Sequence, residues 1–263
     1  MDPITAICTL ADQQIGYREK RSNKDLDSMT GNAGSANYTK YARDMDALKT
    51  YYNGRKQGVA YCDVFYDWLF VQLFGPDVGR RMIHQPLRSS GAGCRYSRDY
   101  YIRAGQLYQV PQIGDQVFFW PKIRINLKTV QHTGLVRDFD GHTLITVEGN
   151  VSDGVGRRSY KLNDARLAGF GRPSWALVGA TVPTIPEQPA TAVLPMLQYG
   201  DVGADVKRMQ QLLEAAGFKL KRYGADGKFG SETRAAVQSF QQRYSIPYTG
   251  IVNAATWQRL LKV

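Results

Sequence analysis

The spacing of apolar residues changes twice along the chain and divides it into three parts. In the first part apolar positions recur every three to four residues, which is typical of helices with one buried face. The pattern predicts helices over residues 2–16, 38–50, 62–75 and 97–105, and a short basic helix after Pro76 that ends near Met82. The sequence between the first two helices is polar and turn-rich. The helix over 62–75 is apolar almost all round, so we expect it at the centre of the fold.

From Pro111 onward the apolar residues alternate with polar ones, which is typical of strands. Three strands are predicted over residues 116–120, 130–137 and 142–150, and the last two form a hairpin. Helices followed by an antiparallel sheet indicate an α+β fold. A two-residue turn at 140–141 would send His132 and Glu148 to opposite faces of the sheet. We predict instead a three-residue loop, 139–141, which pairs His132 directly with Glu148 on one face.

The third part begins with a stretch rich in proline and small residues, which is typical of a linker. Three short amphipathic units follow it, enough for a small helical core. We therefore predict a first domain over residues 1–175, a linker over 176–196 and a second domain over 197–263.

Composition narrows the classes of partner. The net charge is +11, so a polyanion such as an anionic cell-wall polymer is a plausible partner. The sequence lacks basic runs interleaved with aromatic residues and lacks zinc-finger spacing, which argues against nucleic acid. It also lacks an N-terminal export signal and a long apolar run. We therefore expect a protein that is made in the cytoplasm, does not insert into a membrane and reaches an outside target by separate release. We also expect it to be a monomer.

Cys62 is the candidate nucleophile. At the first turn of a helix its thiolate is favoured by the dipole and by unpaired N–H groups, although a small buried thiol is the alternative. His132 is the candidate base, with Glu148 or Asn150 to orient it. The oxyanion would be met by the Cys62 backbone N–H, helped by Gln57.

Of the two other cysteines, the sequence places Cys8 in the core and Cys94 in a glycine loop without a role.

Four ordered motifs resemble the CHAP family of cysteine- and histidine-dependent amidohydrolases and peptidases. They are YCDVFYDW at 61–68, GDQVFF at 114–119, HTGLV at 132–136 and TVEGN at 146–150, and the resemblance runs over residues 4–175. It implies a papain-like α+β fold that cleaves amide bonds of peptidoglycan, with its motif residues on Cys62, His132, Glu148 and Asn150. No cofactor is required by this chemistry.

Some members of that family bind calcium through a loop of clustered aspartates. Asp25 and Asp27 are the residues of this chain that could take part. A calcium loop needs six or more oxygen ligands, and the later ligands are out of register here. Solvated loop carboxylates are the alternative.

The last 67 residues resemble the three-helix peptidoglycan-binding domain. The motifs are GDVG at 200–203, DGKFGSET at 226–233 and GIVNAATW at 250–257; a generic helical bundle with glycine caps is the alternative. Candidate wall contacts are Tyr223, Asp226, Phe229 and Tyr248, although packing would explain each equally well.

Together the two resemblances imply a peptidoglycan hydrolase of the phage endolysin type. The bond cut would be the N-acetylmuramoyl-L-alanine amide, and a stem-peptide or crossbridge bond is the alternative. Two other classes stay open: a non-catalytic wall-binding protein, and an acyltransferase that passes the same thioester to an amine.

Overall fold

A computed structural model describes residues 2–91, 93–121, 130–164, 166–180, 196–246 and 248–261. The chain forms two compact units, one built mainly from residues up to 180 and the other from residues after 195. The first unit extends past the predicted limit at 175 because Trp175–Val178 forms a 3₁₀ helix. Trp175 is buried, with its ring centroid 5.6 Å from that of Phe70. Residues 181–195 of the predicted linker lie outside the described residues.

Four helices precede the sheet of the first unit. They are α1 (Pro3–Asp12), α2 (Lys40–Ala47), α3 (Cys62–Met82) and α4 (Cys94–Arg103). Every residue of α3 from 62 to 71 is buried, and the helix contacts α1, α2 and the sheet, as its apolar sequence predicts. No described helix has the length and apolar character needed to cross a bilayer.

Of two helices with irregular ends, one agrees with the prediction and one differs. Gly75 adopts a φ of 76° and interrupts α3 at the predicted stop, and the helix resumes at once and ends at Met82, as predicted for the short basic segment. The other helix, α4, begins at Cys94 and not at Ser97. The buried carboxylate of Asp63 accepts hydrogen bonds from the Gly93 N–H at 3.2 Å and the Ser97 hydroxyl at 2.8 Å. The Ser97 side chain therefore bonds across to α3 instead of capping its own helix.

One antiparallel sheet packs on α3, which confirms the α+β class. Its spatial order is β1-β6-β2-β3-β4-β5. The strands β2, β3 and β4 were predicted, and β1, β5 and β6 were not. Strand β1 is only two residues long, and β5 is a largely exposed, charged edge strand. The bounds are β1 Leu107–Tyr108, β2 Gln116–Phe119, β3 His132–Phe139, β4 Thr143–Gly149, β5 Val155–Lys161 and β6 Leu167–Gly171.

The turn between β3 and β4 is not the predicted three-residue loop. Asp140 donates its N–H to the Thr143 carbonyl at 3.2 Å, so the turn residues are Gly141 and His142. The Asp140 carboxylate accepts the backbone N–H groups of His142 at 2.8 Å and Thr143 at 2.7 Å. This side-chain cap stabilises the turn one residue further along the chain than predicted.

A bulge then changes the pairing of β3 with β4. Arg137 is the extra residue, and beyond it Leu135 pairs with Val147. One step further along this register, Gly134 lies opposite Glu148. The predicted direct pairing of His132 with Glu148 is therefore wrong, although both residues do lie on the same face of the sheet.

The second unit is a three-helix domain, as predicted. Its helices are α5 (Ala204–Ala215), α6 (Ser231–Arg243) and α7 (Ala254–Leu260), and the Asn253 side chain caps α7 by accepting the Thr256 N–H at 3.1 Å. The core residues are Leu197, Val206, Met209, Leu213, Phe229, Val237, Phe240, Val252, Trp257 and Leu260.

Two buried glutamines hold the loops of this domain in the same way. Gln210 of α5 donates to the Thr233 hydroxyl at 2.9 Å and accepts the Gly227 N–H at 2.7 Å. Gln241 of α6 donates to the Thr256 hydroxyl at 3.1 Å and accepts the Gly250 N–H at 2.8 Å. Each glutamine thus fixes the glycine turn and the threonine at the start of the next helix. The same hydrogen-bond arrangement therefore occurs twice in the second unit.

Candidate active site

The Cys62 thiol lies at the N-terminus of the central helix and faces the sheet. Cys62 is the first residue of α3, where backbone N–H groups lack partners within the helix and the dipole favours an anion. The sulfur also accepts a hydrogen bond from the Thr133 backbone N–H on β3. Only 5% of the residue is exposed. The position is therefore suited to a thiolate held by fixed backbone dipoles.

His132 joins this sulfur to a buried carboxylate. Its Nε2 lies 2.8 Å from Oε2 of Glu148, and the ring is also hydrogen-bonded to Cys62, which leaves Nδ1 for the sulfur. The other carboxylate oxygen of Glu148 accepts the Thr146 hydroxyl at 2.5 Å. The Glu148 side chain is fully buried, whereas 27% of the His132 side chain is exposed. The site thus opens to solvent at the imidazole and is closed behind it.

The contact between His132 and Glu148 depends on a glycine. Because Gly134 lies opposite Glu148, the histidine reaches the carboxylate diagonally across the two strands. A Cβ on Gly134 would lie 2.5 Å from Cγ of Glu148 and 3.1 Å from the Val147 carbonyl oxygen. The missing side chain is therefore what lets the carboxylate lie flat on β3 and reach the ring.

The two reacting groups shift each other's ionisation. The pKa of Cys62 is held well below its usual value by a hydrogen bond from Cys94 and by the hydrogen bond and charge of His132, which together outweigh burial. Burial alone would lower the pKa of His132, but its bonds to Cys62 and Glu148 raise it to about 10. At neutral pH the pair is therefore thiolate and imidazolium.

Cys94 belongs to this site, contrary to the prediction of a bystander in a loop. As the first residue of α4 its Sγ lies 3.5 Å from Sγ of Cys62, and both residues are buried. The pKa of Cys94 is raised well above its usual value, mainly because it donates to Cys62. The buried face of α4 consists of Cys94, Ser97, Arg98 and Tyr101 at helical spacing. Two of these residues are polar, so an apolar pattern could not reveal the face.

Two other predicted site residues have different surroundings. The Gln57 amide donates to Asn23 Oδ1 at 2.9 Å and to the Thr39 carbonyl at 3.0 Å. Both of its N–H groups are thus used in packing the loop, and the predicted oxyanion role of Gln57 is corrected. Asn150 follows β4 with a left-handed φ of 61°. The carboxylate of Glu148, and not the Asn150 amide, makes the contact with the histidine.

The aspartates considered for calcium do not fit that ion. Both carboxylate oxygens of Asp27 accept from the Arg43 guanidinium, at 2.6 and 2.8 Å. The buried ammonium of Lys20 donates to the Ser28 carbonyl at 2.6 Å in the same loop. Asp25 adopts a left-handed φ of 54°. Among the described residues no three His, Cys, Asp or Glu side chains are arranged to hold a metal. The Arg43 guanidinium therefore occupies the position beside the Asp27 carboxylate that a calcium ion would need.

The candidate wall contacts separate into two groups. Phe229 is 2% exposed and forms part of the core, so its prediction as a binding residue is wrong. Asp226 Oδ1 accepts from the Gln210 amide and the Lys228 N–H, which gives it a role in fixing the loop. Tyr223 and Tyr248 expose 60% and 59% of their surface. These two rings remain available for a ligand.

Comparison with known proteins identifies the second unit. Residues 202–260 match the family described as a putative peptidoglycan binding domain. Two proteins of Bacillus licheniformis are similar over this part of the chain. A probable N-acetylmuramoyl-L-alanine amidase is 45% identical over 65 residues, and the N-acetylmuramoyl-L-alanine amidase CwlL is 41% identical over 68. These matches cover 25% and 26% of this chain but only 18% and 19% of the two relatives.

Solved structures are similar over a comparable length. The N-terminal domain of SleB is 35% identical, with 26% of this chain and 92% of that chain covered and a TM-score of 0.25. An endolysin of Burkholderia phage AP3 is 41% identical, with 25% of this chain and 24% of that chain covered and a TM-score of 0.23. By sequence, the second unit is thus similar to the putative peptidoglycan binding domain family and to parts of two proteins named as N-acetylmuramoyl-L-alanine amidases. The chemistry of the first unit has to be argued from its own residues.

Proposed function

We propose that this protein is a peptidoglycan hydrolase that cuts an amide bond with Cys62 as nucleophile. The observation that supports it most is the hydrogen-bonded series Cys62, His132 and Glu148 in a chain that also carries a peptidoglycan-binding domain. The order of these residues along the chain and the α+β fold agree with the CHAP-type motifs of the sequence. The net charge of +11 suits an anionic wall.

The geometry supports a two-step acyl transfer. The Cys62 thiolate attacks the amide carbonyl, and the oxyanion that forms is met by the Cys62 backbone N–H at the start of α3. His132 gives its Nδ1 proton to the leaving nitrogen, which yields a thioester and a free amine. The now neutral imidazole takes a proton from water while the water oxygen attacks the thioester carbonyl, and cleavage of the C–S bond releases the acid and restores the Cys62 thiolate. Glu148 keeps the ring in the required orientation and stabilises its charged form.

The peptidoglycan-binding domain would raise the local concentration of substrate around the first unit. A second binding event on the same polymer becomes intramolecular once the first has occurred, so affinity increases without new catalytic contacts. In this proposal Tyr223 and Tyr248 offer exposed rings to the wall.

The bond we propose is the one between the muramoyl lactyl group and L-alanine. The two Bacillus relatives that share the binding domain are named as amidases of this bond, and a stem or crossbridge peptide bond is the other candidate. Mass spectrometry of digested walls separates them, because an amidase leaves free lactyl groups with intact stem peptides and an endopeptidase creates new amino termini within the peptides. Unchanged wall fragments after digestion would reject the hydrolase proposal altogether.

The pH profile provides a second test. Activity requires the Cys62 thiolate and the protonated His132, so it should rise on the acid side as the thiol ionises and fall on the alkaline side as the imidazolium loses its proton. Because the pKa of Cys62 is lowered and that of His132 is raised to about 10, we expect a broad plateau through neutral pH. Initial rates of wall clearing in buffers of constant ionic strength measure it. An alkaline decline centred near the usual pKa of histidine would contradict the ion pair.

A further inference from the structure

We propose that Cys62 and Cys94 form a reversible redox pair, in which oxidation of the nucleophile closes a disulfide that blocks the active site. Their sulfur atoms are 3.5 Å apart and both residues are buried. A disulfide bond is about 2.05 Å long, so the two sulfurs have to approach each other by about 1.5 Å. The inference rests on the proposed function only for the loss of activity, because the disulfide itself can be observed without a substrate.

Hydrogen bonds on both sides of Cys94 hold that residue beside Cys62. Asp63, the neighbour of Cys62, accepts the Gly93 N–H at 3.2 Å and the Ser97 hydroxyl at 2.8 Å. A third bond, from the Gln116 amide to the same carboxylate at 3.0 Å, ties β2 to this point. The start of α4 is thus fixed on the first turn of α3, and the two sulfurs are neighbours in the reduced protein.

The two thiols differ in reactivity in the way a redox pair requires. Cys62 is the thiolate, which is the form that reacts with an oxidant, and Cys94 remains a thiol at its side. Cys8 provides a comparison within the same chain, since it is buried on α1 and burial raises its pKa to about 12. We therefore expect oxidation to begin at Cys62 and to leave Cys8 unchanged.

With hydrogen peroxide as oxidant the chemistry balances in two steps. The Cys62 thiolate attacks one peroxide oxygen, the O–O bond breaks, and hydroxide leaves while the sulfur becomes a sulfenic acid. Cys94 then attacks the Cys62 sulfur, so that the S–S bond forms and the S–O bond breaks. The Cys94 proton passes to the departing hydroxide, which leaves as water. Two molecules of an external thiol, or one dithiol, reverse the change: the first thiolate attacks the S–S bond, forms a mixed disulfide and releases one cysteine, and the second attacks the mixed disulfide, releases the other cysteine and leaves as the oxidised reagent.

Formation of the disulfide also protects Cys62 from further oxidation. A sulfenic acid without a neighbouring thiol can be oxidised further to sulfinic and sulfonic acids, which ordinary reductants do not reverse. Cys94 competes with that second oxidation because it is already in contact with the sulfur. The pair would keep the protein inactive but recoverable under oxidising conditions.

The test treats the full-length protein with hydrogen peroxide and then determines its mass and its disulfides without a reductant. We expect the mass to fall by about 2 Da, for the two hydrogens lost on disulfide formation. Peptide mapping should join the peptides that carry Cys62 and Cys94, and alkylation after denaturation should modify Cys8 alone. Wall-clearing activity should disappear with the disulfide and return on addition of dithiothreitol.

Two variants make the test decisive. In Cys94→Ser the peroxide should convert Cys62 to the sulfinic and sulfonic acids, and the thiol should not be recovered by dithiothreitol. In Cys8→Ser the disulfide should form as in the original protein. Oxidation of Cys62 to the higher acids at the same rate with and without Cys94, with no linked peptides, would overturn the proposal. If the reduced protein leaves walls intact but peroxide still links Cys62 to Cys94, the redox pair is supported and the hydrolase is rejected, so the two failures are distinguishable.

Discussion

Replacement of Cys62 by alanine is expected to reduce wall hydrolysis to background while binding to the wall persists. Removing the nucleophile of a catalytic triad costs on the order of 10⁴-fold or more in rate, because the remaining residues cannot form the covalent intermediate. The binding domain has its own core, which the substitution does not touch. Release of soluble fragments from purified walls measures hydrolysis, and cosedimentation with the same walls measures binding.

Cys8→Ala is the matched control for that experiment. It removes the same atom from another buried cysteine, on α1 and away from the histidine. We expect it to lower the free energy of unfolding by about 1 kcal/mol and to leave the rate unchanged below the melting temperature. Persistent hydrolysis by Cys62→Ala would rule out the proposed mechanism. Loss of both activity and wall binding would instead indicate that the variant had not folded.

The helical part of the fold was accessible from the sequence because its signals are local. The apolar spacing of α3 and the cap residues Asp2 and Asn253 act within a few positions, and each of these elements is present. Prediction was weaker wherever an element depends on distant partners. The start of α4 is fixed by Asp63, about 30 residues earlier in the chain, so nothing near Cys94 could indicate it.

The candidate site shows the same division. The identity of Cys62, His132 and Glu148 followed from residue types, motif order and the two-residue period of strands, and the structure brings all three together. The register that brings His132 and Glu148 together did not follow from the sequence. A single bulge residue, Arg137, changes the register between β3 and β4, and its side chain contacts Asp12 on α1, more than 100 residues away in sequence, at 2.7 Å.

The wall-binding residues were the least accessible to sequence reasoning. An aromatic residue in a glycine-rich loop can point into the core or out to solvent, and composition does not distinguish the two. Phe229 points inward because the loop around it is held by the buried Gln210, whereas Tyr223 in the same loop is exposed. Burial is a property of the folded chain, so the sequence alone could not distinguish Phe229 from Tyr223.

Replacement of Gly134 by alanine should greatly reduce the proposed hydrolysis while Cys62, His132 and Glu148 are all still present. The added methyl carbon would lie 2.5 Å from Cγ of Glu148, closer than real atoms approach. Either the carboxylate or β3 has to move, and the 2.8 Å bond between Glu148 and His132 is lost or lengthened. A displacement of this size in a catalytic group costs about 10²-fold in rate.

Gly156→Ala is the control for this substitution, because Gly156 pairs with Glu148 from the other side, on β5. A Cβ there would meet Val151 Cγ2 at 3.8 Å, an ordinary contact, so activity should be retained. The pH profile separates a lost bond from a lost fold. Glu148 raises the pKa of His132, so in Gly134→Ala the alkaline decline in rate should move to lower pH while the thermal transition remains cooperative. If Gly134→Ala and Gly156→Ala were equally active with identical pH profiles, the diagonal contact across Gly134 could not be what orients the histidine.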